Sequence, residues 1–519
     1  MVAGERDWVH FDVPERFNLA AAVIDANVEQ GRGNKIALCY KDYKLTYKDV
    51  QRMVNRAGNA LKSVGIDWEN RVAILLPDCP EWIATFFGAM KIGAVPVPFN
   101  TMLQPHELEY LLNDSRAKAI IVSDALVEQI RQIKVNLKYL KHVVVLGEAK
   151  GDELSYEALV KEASPELEAA NTSKDDVALW WYTSGTTGFP KGTVHLHHDL
   201  VHMPEAVNKL IYGMTENDVV FAVPRLFFAF STIEMVSSLW IGAAHILMPE
   251  RPLPENVLEI ITKHKPTVFF GVPTFFAHLL ELKDIEQYDL SSIRICGSGG
   301  EHLPADIYHR FKERFGIEIL DLIGTTEAGN LFICSRPGRV RPGSTGEVVP
   351  GIEVRLVDEE GNEVPVGEDG RLMIKSDSVA PYYWNKHDKT KEVINGDWLC
   401  TGDIFCRDED GYYWFKGRVD DMIKAGGIWV SPPEVEATLV QHPAVVESAV
   451  VGATDEEGLV KPKAFVVLSD GYKPSPELVK ELQNFVKSKV APYKYPRWVE
   501  FVPELPKTAT GKIQRFKLR

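Results

Sequence analysis

The chain has 519 residues, too many for one ordinary hydrophobic core, so more than one domain is expected. Its 45% hydrophobic and 25% charged residues have the balance of a globular protein, and a net charge of -15 excludes the broadly basic surface of a nucleic-acid binder while leaving room for a local basic pocket around an anionic cofactor. Six scattered cysteines without a C-x-x-C pair suit reduced thiols; with no apolar leader and no run of about 18 apolar residues, the expectation is a cytoplasmic protein without a membrane span.

Residues 1–30 read as a polar lead-in anchored by aromatics. From KLTYKDV (44–50) a helix is expected, carrying Val54, Ala57, Ala60 and Leu61 at helical spacing. RVAILL (71–76) is a strand ended by Pro77, 81–92 a buried helix and 94–98 the next strand, which makes a β-α-β unit. The alternation continues with a helix at 107–112 and strands at 119–122 and 143–146. That pattern predicts mostly parallel sheet covered on both faces. The acidic, Ser/Ala-rich stretch 148–176 reads as a surface connection.

An apolar run, Val177 to Trp180, then leads into WYTSGTTGFPKG (181–192). Glycines remove Cβ atoms, so backbone N–H groups can approach an anion closely. Thr183, Ser184, Gly185, Thr186, Thr187 and Gly188 form a donor-rich cradle, and Lys191 adds a point charge. The Walker order, with Ser or Thr after the lysine, is absent because Gly192 follows Lys191. The plain alternative is a Gly/Thr surface turn. In the parallel-sheet frame this loop is expected at the carboxyl end of a strand. HLHHD (195–199) has no cysteine nearby and reads as a lead-in to a helix rather than a metal site.

A strand at 218–223 ends in PRLFFAF, whose Phe228, Ala229 and Phe230 suit one wall of a pocket for a flat apolar acid, against the alternative of plain core. Strands at 267–270, 293–296 and 317–320 follow. The second opens onto GSGGE, where a glycine loop leaves space for a flat heterocycle. The third runs through Asp321 into Gly324, Thr325, Thr326 and Glu327. There Glu327 can offer an oxygen to a hard cation such as Mg²⁺ and Thr326 a hydroxyl donor to a phosphate; a helix cap fits the same residues. Asp403, after a Thr-Gly turn, can accept two hydrogen bonds from a ribose diol. The last hundred or so residues change texture. A helix at 432–439, strands at 447–451 and 463–467, and a helix capped by Ser475 with Pro476 at its first position make a small α+β unit.

In these motifs the chain resembles the adenylate-forming superfamily of acyl-CoA synthetases, carrier-loading adenylation domains and luciferases, and PRLFFAF looks most like benzoate–CoA ligases. The resemblance implies a large α/β region of mostly parallel sheets covered by helices (1–419) and a small mobile α+β domain (420–519), with a hinge at Asp420. It implies adenine and ribose contacts from Gly299, Gly300, Glu301, Asp321, Asp403 and Arg418. Gly324 and Asn330 join the acid pocket, and Gly426 and Gly427 line the coenzyme A tunnel. Lys512, in the closing PKTATGK motif, becomes the catalytic lysine, with Thr326 and Glu327 beside it. The implied reaction joins a small carboxylic acid to coenzyme A through an acyl adenylate, using ATP and Mg²⁺. Three departures stand out, and the last two keep the acid open. Ile323 stands where a tyrosine often packs on adenine, Asn330 where benzoate ligases tend to carry histidine, and Ser231-Thr232-Ile233-Glu234 replaces a glycine-rich continuation. A short branched or hydroxy aliphatic acid, or a carrier protein as acceptor, are the alternatives; a non-catalytic nucleotide binder is disfavoured by Lys512, Glu327 and Asp403. A homo-oligomer is compatible with the sequence but is not read from it.

Overall fold

The computed structural model describes residues 11–183, 190–283, 285–425, 428–455, 459–507 and 513–519. The architecture is α/β. One five-stranded sheet is parallel throughout, in the order Val95–Pro98, Arg71–Leu75, Ala119–Ser123, His142–Leu146, Leu154–Ser155. A nine-stranded sheet has six parallel strands at its centre, Ile319–Thr325, Ile295–Ser298, Val268–Gly271, Val219–Ala222, Ala244–Leu247 and Ile36–Tyr40, with antiparallel strands at both edges. Strands such as Ala119–Ser123 and Val268–Gly271 are buried at every position, as a sheet covered on both faces requires. No described helix is long and apolar enough to cross a membrane.

The helix Tyr47–Ser63 starts where the sequence predicts it. The Thr46 side chain accepts from the Asp49 N–H while Asp49 accepts from the Thr46 N–H, a reciprocal cap worth about 1 kcal/mol. Its buried face crosses the helix Pro80–Lys91 backbone to backbone. A Cβ on Gly88 would stand 2.8 Å from the Gly58 nitrogen, so neither position has space for a side chain.

Three expectations need correction. The N-terminal stretch is not a lead-in. Residues 18–32 are largely helical, and Leu19, Ala20, Val23 and Ile24 lie in the main core. Lys91, also buried, ties them down with bonds to Asp25 (2.8 Å) and Asn55 (2.7 Å). The signal overlooked is the apolar spacing inside LAAAVIDANV. The connection 148–176 holds a helix, Tyr156–Glu162, and then straps the Tyr47–Ser63 helix: Arg56 donates to the Val160, Lys161 and Ala163 carbonyls and Asn55 to that of Pro165. Third, the strand Val177–Thr183 belongs to neither parallel sheet. It pairs antiparallel with Lys191–Leu196, which pairs with Tyr382–Tyr383. The Ser/Thr/Gly loop therefore leaves the end of a strand, as expected, but of a hairpin strand outside both parallel sheets.

Residues 353–418 form a separate antiparallel sheet. Beyond it, the hairpin Ile423–Ala425 and Ile428–Val430, the strands Val445–Thr454, Val460–Leu468 and Trp498–Phe501, and the helices Pro432–Val440 and Pro476–Lys489 build a small α+β unit. Its own core holds Val435, Leu439, Val450, Val466, Leu482 and Val486. Ser475 caps the last helix through the Leu478 N–H, as expected.

Candidate active site

Thr183 and Lys191 are register partners at the end of the hairpin ladder. Ser184, Gly185, Thr186, Thr187 and Gly188 lie outside the described residues, as do Gly426, Gly427 and Lys512. Lys191 Nζ sits 4.6 Å above the Tyr383 ring, and burial lowers its pKa while Glu327 opposes that shift. Tyr383 in turn donates its hydroxyl to Glu327 Oε1 at 2.6 Å. Lysine, tyrosine and glutamate thus form one contiguous group. The hairpin supplies the lysine, its sheet partner the tyrosine, and the end of the Ile319–Thr325 strand the glutamate.

The turn that carries Glu327 is fixed from below. Thr325 Oγ1 accepts from the Ala328 N–H at 3.1 Å, so the cap read as an alternative is present one residue before Thr326. The Thr326 carbonyl lies 2.7 Å from His195 Nε2, and His195 Nδ1 lies 2.8 Å from the buried Asp199 carboxylate. Gly329 has φ of 59°, and a Cβ there would stand 2.9 Å from the His195 ring. His195 is thus the last buried residue of the strand Lys191–Leu196, not part of a helix lead-in. His197, beside it in HLHHD, accepts the Leu19 N–H through Nδ1 at 3.1 Å. Among the described residues, no group of three or more His, Cys, Asp or Glu side chains is placed to hold a metal ion.

Asp403 and Arg418 face each other across an antiparallel pair. Their side chains meet at 2.9 Å, and the Asp403 carboxylate is the main cause of the upward shift of the Arg418 pKa. Gly402 between them has φ of 76°, and a Cβ there would stand 3.0 Å from Arg418 Nη2, so only glycine fits. On the other side of the site, Gly299 packs its backbone against Phe230, with a virtual Cβ 3.1 Å from the ring, and Gly300 has φ of 87°. Asp321 is buried. Its Oδ1 accepts the Leu303 and Leu322 N–H groups, and its Oδ2 lies 3.3 Å from His302 Nδ1 in a geometry that makes no hydrogen bond. Glu301 Oε1 accepts the N–H of Ile513 at 3.3 Å. That amide immediately follows Lys512 in the chain, so the tail of the small unit rests on the GSGGE loop. Asp420 has its carbonyl held by Arg519 at 2.8 Å.

Phe228 precedes the helix Ala229–Ile241, whose Phe230 stands edge-to-face with Phe270 at 6.0 Å. Gly324 has space for no side chain, because a Cβ would meet the Asn330 carbonyl at 2.5 Å. Asn330 is buried and bonds through its amide to His202 Nδ1. Burial pushes His202 down to about 4, so it is neutral. His202, Tyr383 and Asp78 were not singled out in the sequence. Asp78, at the end of the parallel sheet, accepts the Leu226 N–H at 3.1 Å and fixes the start of PRLFFAF. Burial raises its pKa to about 6. All three reach the site across distant chain segments, which no local pattern reports.

Residues 24–384 match the family described as AMP-binding enzyme, and residues 434–512 its C-terminal domain. The chain belongs to the AMP-binding enzyme family. It is 44% identical over 510 residues to a benzoate–CoA ligase of Thauera aromatica, covering 98% of this chain and 96% of that one. It is 40% identical to a 4-hydroxybenzoate–CoA/benzoate–CoA ligase of Rhodopseudomonas palustris, over 97% and 94%. Among solved structures, an anthranilate CoA ligase in complex with anthranoyl-AMP aligns with a TM-score of 0.94 at 44% identity, over 98% of both chains. A benzoate CoA ligase from Burkholderia xenovorans LB400 aligns at 0.90 and 43% identity, over 97% and 100%. In this AMP-binding enzyme, Arg418, paired with Asp403, also acts electrostatically on Lys191 and Tyr383 and feels the Glu327 carboxylate.

Proposed function

We propose that this enzyme ligates a small aromatic acid of the benzoate type to coenzyme A through an acyl adenylate, releasing AMP and pyrophosphate, in the cytoplasm. The observation that carries the reading is likeness along nearly the whole chain to enzymes named for that activity, with the motif residues of both halves present in this sequence.

A carboxylate is a poor electrophile because it has no good leaving group, and joining it to AMP supplies one. In the proposed first step the acid oxygen attacks the α-phosphorus and pyrophosphate departs. Lys512 neutralises charge on the carboxylate and α-phosphate, Thr326 donates to that phosphate, and the loop from Thr183 to Gly188 with Lys191 holds the departing phosphates. Asp403 and Arg418 grip the ribose. Gly299, Gly300, Glu301 and Asp321 border the adenine, and Phe228, Ala229, Phe230, Gly324 and Asn330 surround the acid. The Glu327 carboxylate, an oxygen donor beside Lys191 and held by Tyr383, fits Mg²⁺. That ion would neutralise phosphate charge when bound with ATP. In the proposed second step, residues 420–519 rotate about Asp420, and Gly426 and Gly427 admit the pantetheine thiol, which attacks the acyl carbon and expels AMP.

The experiment is AMP and pyrophosphate release with a panel of acids, with and without coenzyme A. Benzoate-class acids should give coenzyme A-dependent AMP release. Release with short aliphatic acids alone, or release that needs a carrier protein, overturns the reading.

A further inference from the structure

Behind the aromatic wall three elements meet: the helix Ala229–Ile241, the π-helix Met203–Lys209 and the strand Asn330–Cys334. One turn along the helix from Phe230, their meeting place buries polar side chains. Glu234 lies one turn beyond Phe230 on the same helix and is fully buried. Its Oε2 accepts from Asn208 Nδ2 at 3.1 Å, while its Oε1 has no hydrogen-bond partner. Asn208, equally buried, has its carbonyl oxygen unpartnered. No cation among the described residues pairs with Glu234. Burial alone raises its pKa to about 8, opposed only by Asn208. Tyr212 and Cys334, the titratable neighbours on either side, are also held neutral by burial.

Burying a carboxyl and an amide oxygen without partners forfeits their hydration with nothing in return. Such groups in a native fold call for an explanation. A purely structural clasp between the two helices accounts for the Asn208–Glu234 bond but leaves both remaining oxygens unused.

We propose that Glu234 and Asn208 form a specificity site for a protic substituent, a hydroxyl or a primary amine, on the ring of the aromatic acid. The inference rests on the aromatic-acid reading above and narrows it. A hydroxyl accepts from the neutral Glu234 carboxyl and donates to Asn208 Oδ1. An amine donates one N–H to each oxygen. A methyl group of the same size satisfies neither and leaves both buried, a loss that polar pockets convert into strong discrimination. Glu234 also falls in the stretch where the sequence departs from the benzoate ligases' glycine-rich pattern.

The test uses the full chain and compares kcat/KM for coenzyme A-dependent AMP release on benzoate and on the ring isomers of hydroxy-, amino- and methylbenzoate. In the wild type, one hydroxy or amino isomer should exceed the methyl compound of the same ring position by at least about tenfold. Comparing the hydroxy and amino arms identifies the substituent. Glu234→Leu and Asn208→Leu should each bring that ratio to within about threefold of unity, with Glu234→Gln intermediate. If ring acids are turned over but the wild type treats hydroxyl, amine and methyl alike, this inference falls and the aromatic reading stands. That comparison needs no variant to fold. If a folded Glu234→Leu keeps the full preference, the inference also falls. If no ring acid is turned over, both fall together.

Discussion

Glu327 has two supports that the motif around it does not contain. Tyr383 holds its carboxylate, and His195 holds the backbone of its turn. Tyr383→Phe removes one hydrogen bond to a charged acceptor, so kcat should fall about tenfold while the KM for the acid changes little. A rise in the Mg²⁺ concentration needed for half-maximal rate marks the effect as positioning; a simple loss of thermal stability without that rise contradicts it. Lys512→Ala should lower acyl-AMP formation by several orders of magnitude with the melting temperature unchanged. Near-normal adenylate formation in that variant contradicts its proposed role. Gly402→Ala would place a Cβ at φ of 76° and 3.0 Å from Arg418, at a cost of about 1–3 kcal/mol. The KM for ATP should rise well before that for the acid.

Elements were legible wherever the signal was local. The Thr46–Asp49 box, the apolar stripe after it, and Ser475 with Pro476 are contained within a few consecutive residues, and the helices begin where those residues stand. The partners of strands were not legible in the same way. Val177–Thr183 looks like any buried strand, and only the pairing of Thr183 with Lys191 shows that it returns on itself as a hairpin. His195 was misjudged because its partners, Asp199 and Thr326, include one 131 residues away. The crossing of the helices at Gly58 and Gly88 belongs to this scale too. Gly58→Ala would bring a Cβ to 2.5 Å from Leu167 and 3.0 Å from the Gly88 carbonyl. Overpacking of this kind should destabilise the fold by about 1–3 kcal/mol, read as a shift in the urea midpoint, and should spare the KM for ATP.

Across the whole molecule, the buried Glu234 couples stability to pH. Its carboxyl in the fold titrates near 8, well above an exposed glutamate, so between those values the folded chain holds a proton that the unfolded chain has released. Its contribution to stability is therefore full in mildly acidic solution and is lost as pH rises toward and through 8. Glu234→Gln, which cannot ionise, should melt higher than the wild type at pH 9 and show a smaller difference at pH 5. Tyr212 and Cys334, facing the same space, do not ionise in that window.

The amide of Ile513 on Glu301 carries a consequence of a different kind. This hydrogen bond joins the C-terminal unit to the loop proposed to border the adenine, so occupancy of that loop and the seating of the tail are linked by reciprocity. A compound that tightens the tail's grip must itself bind more firmly when nucleotide is present, by the same factor. Glu301→Ala should shrink that shared factor, and by the same amount in either direction.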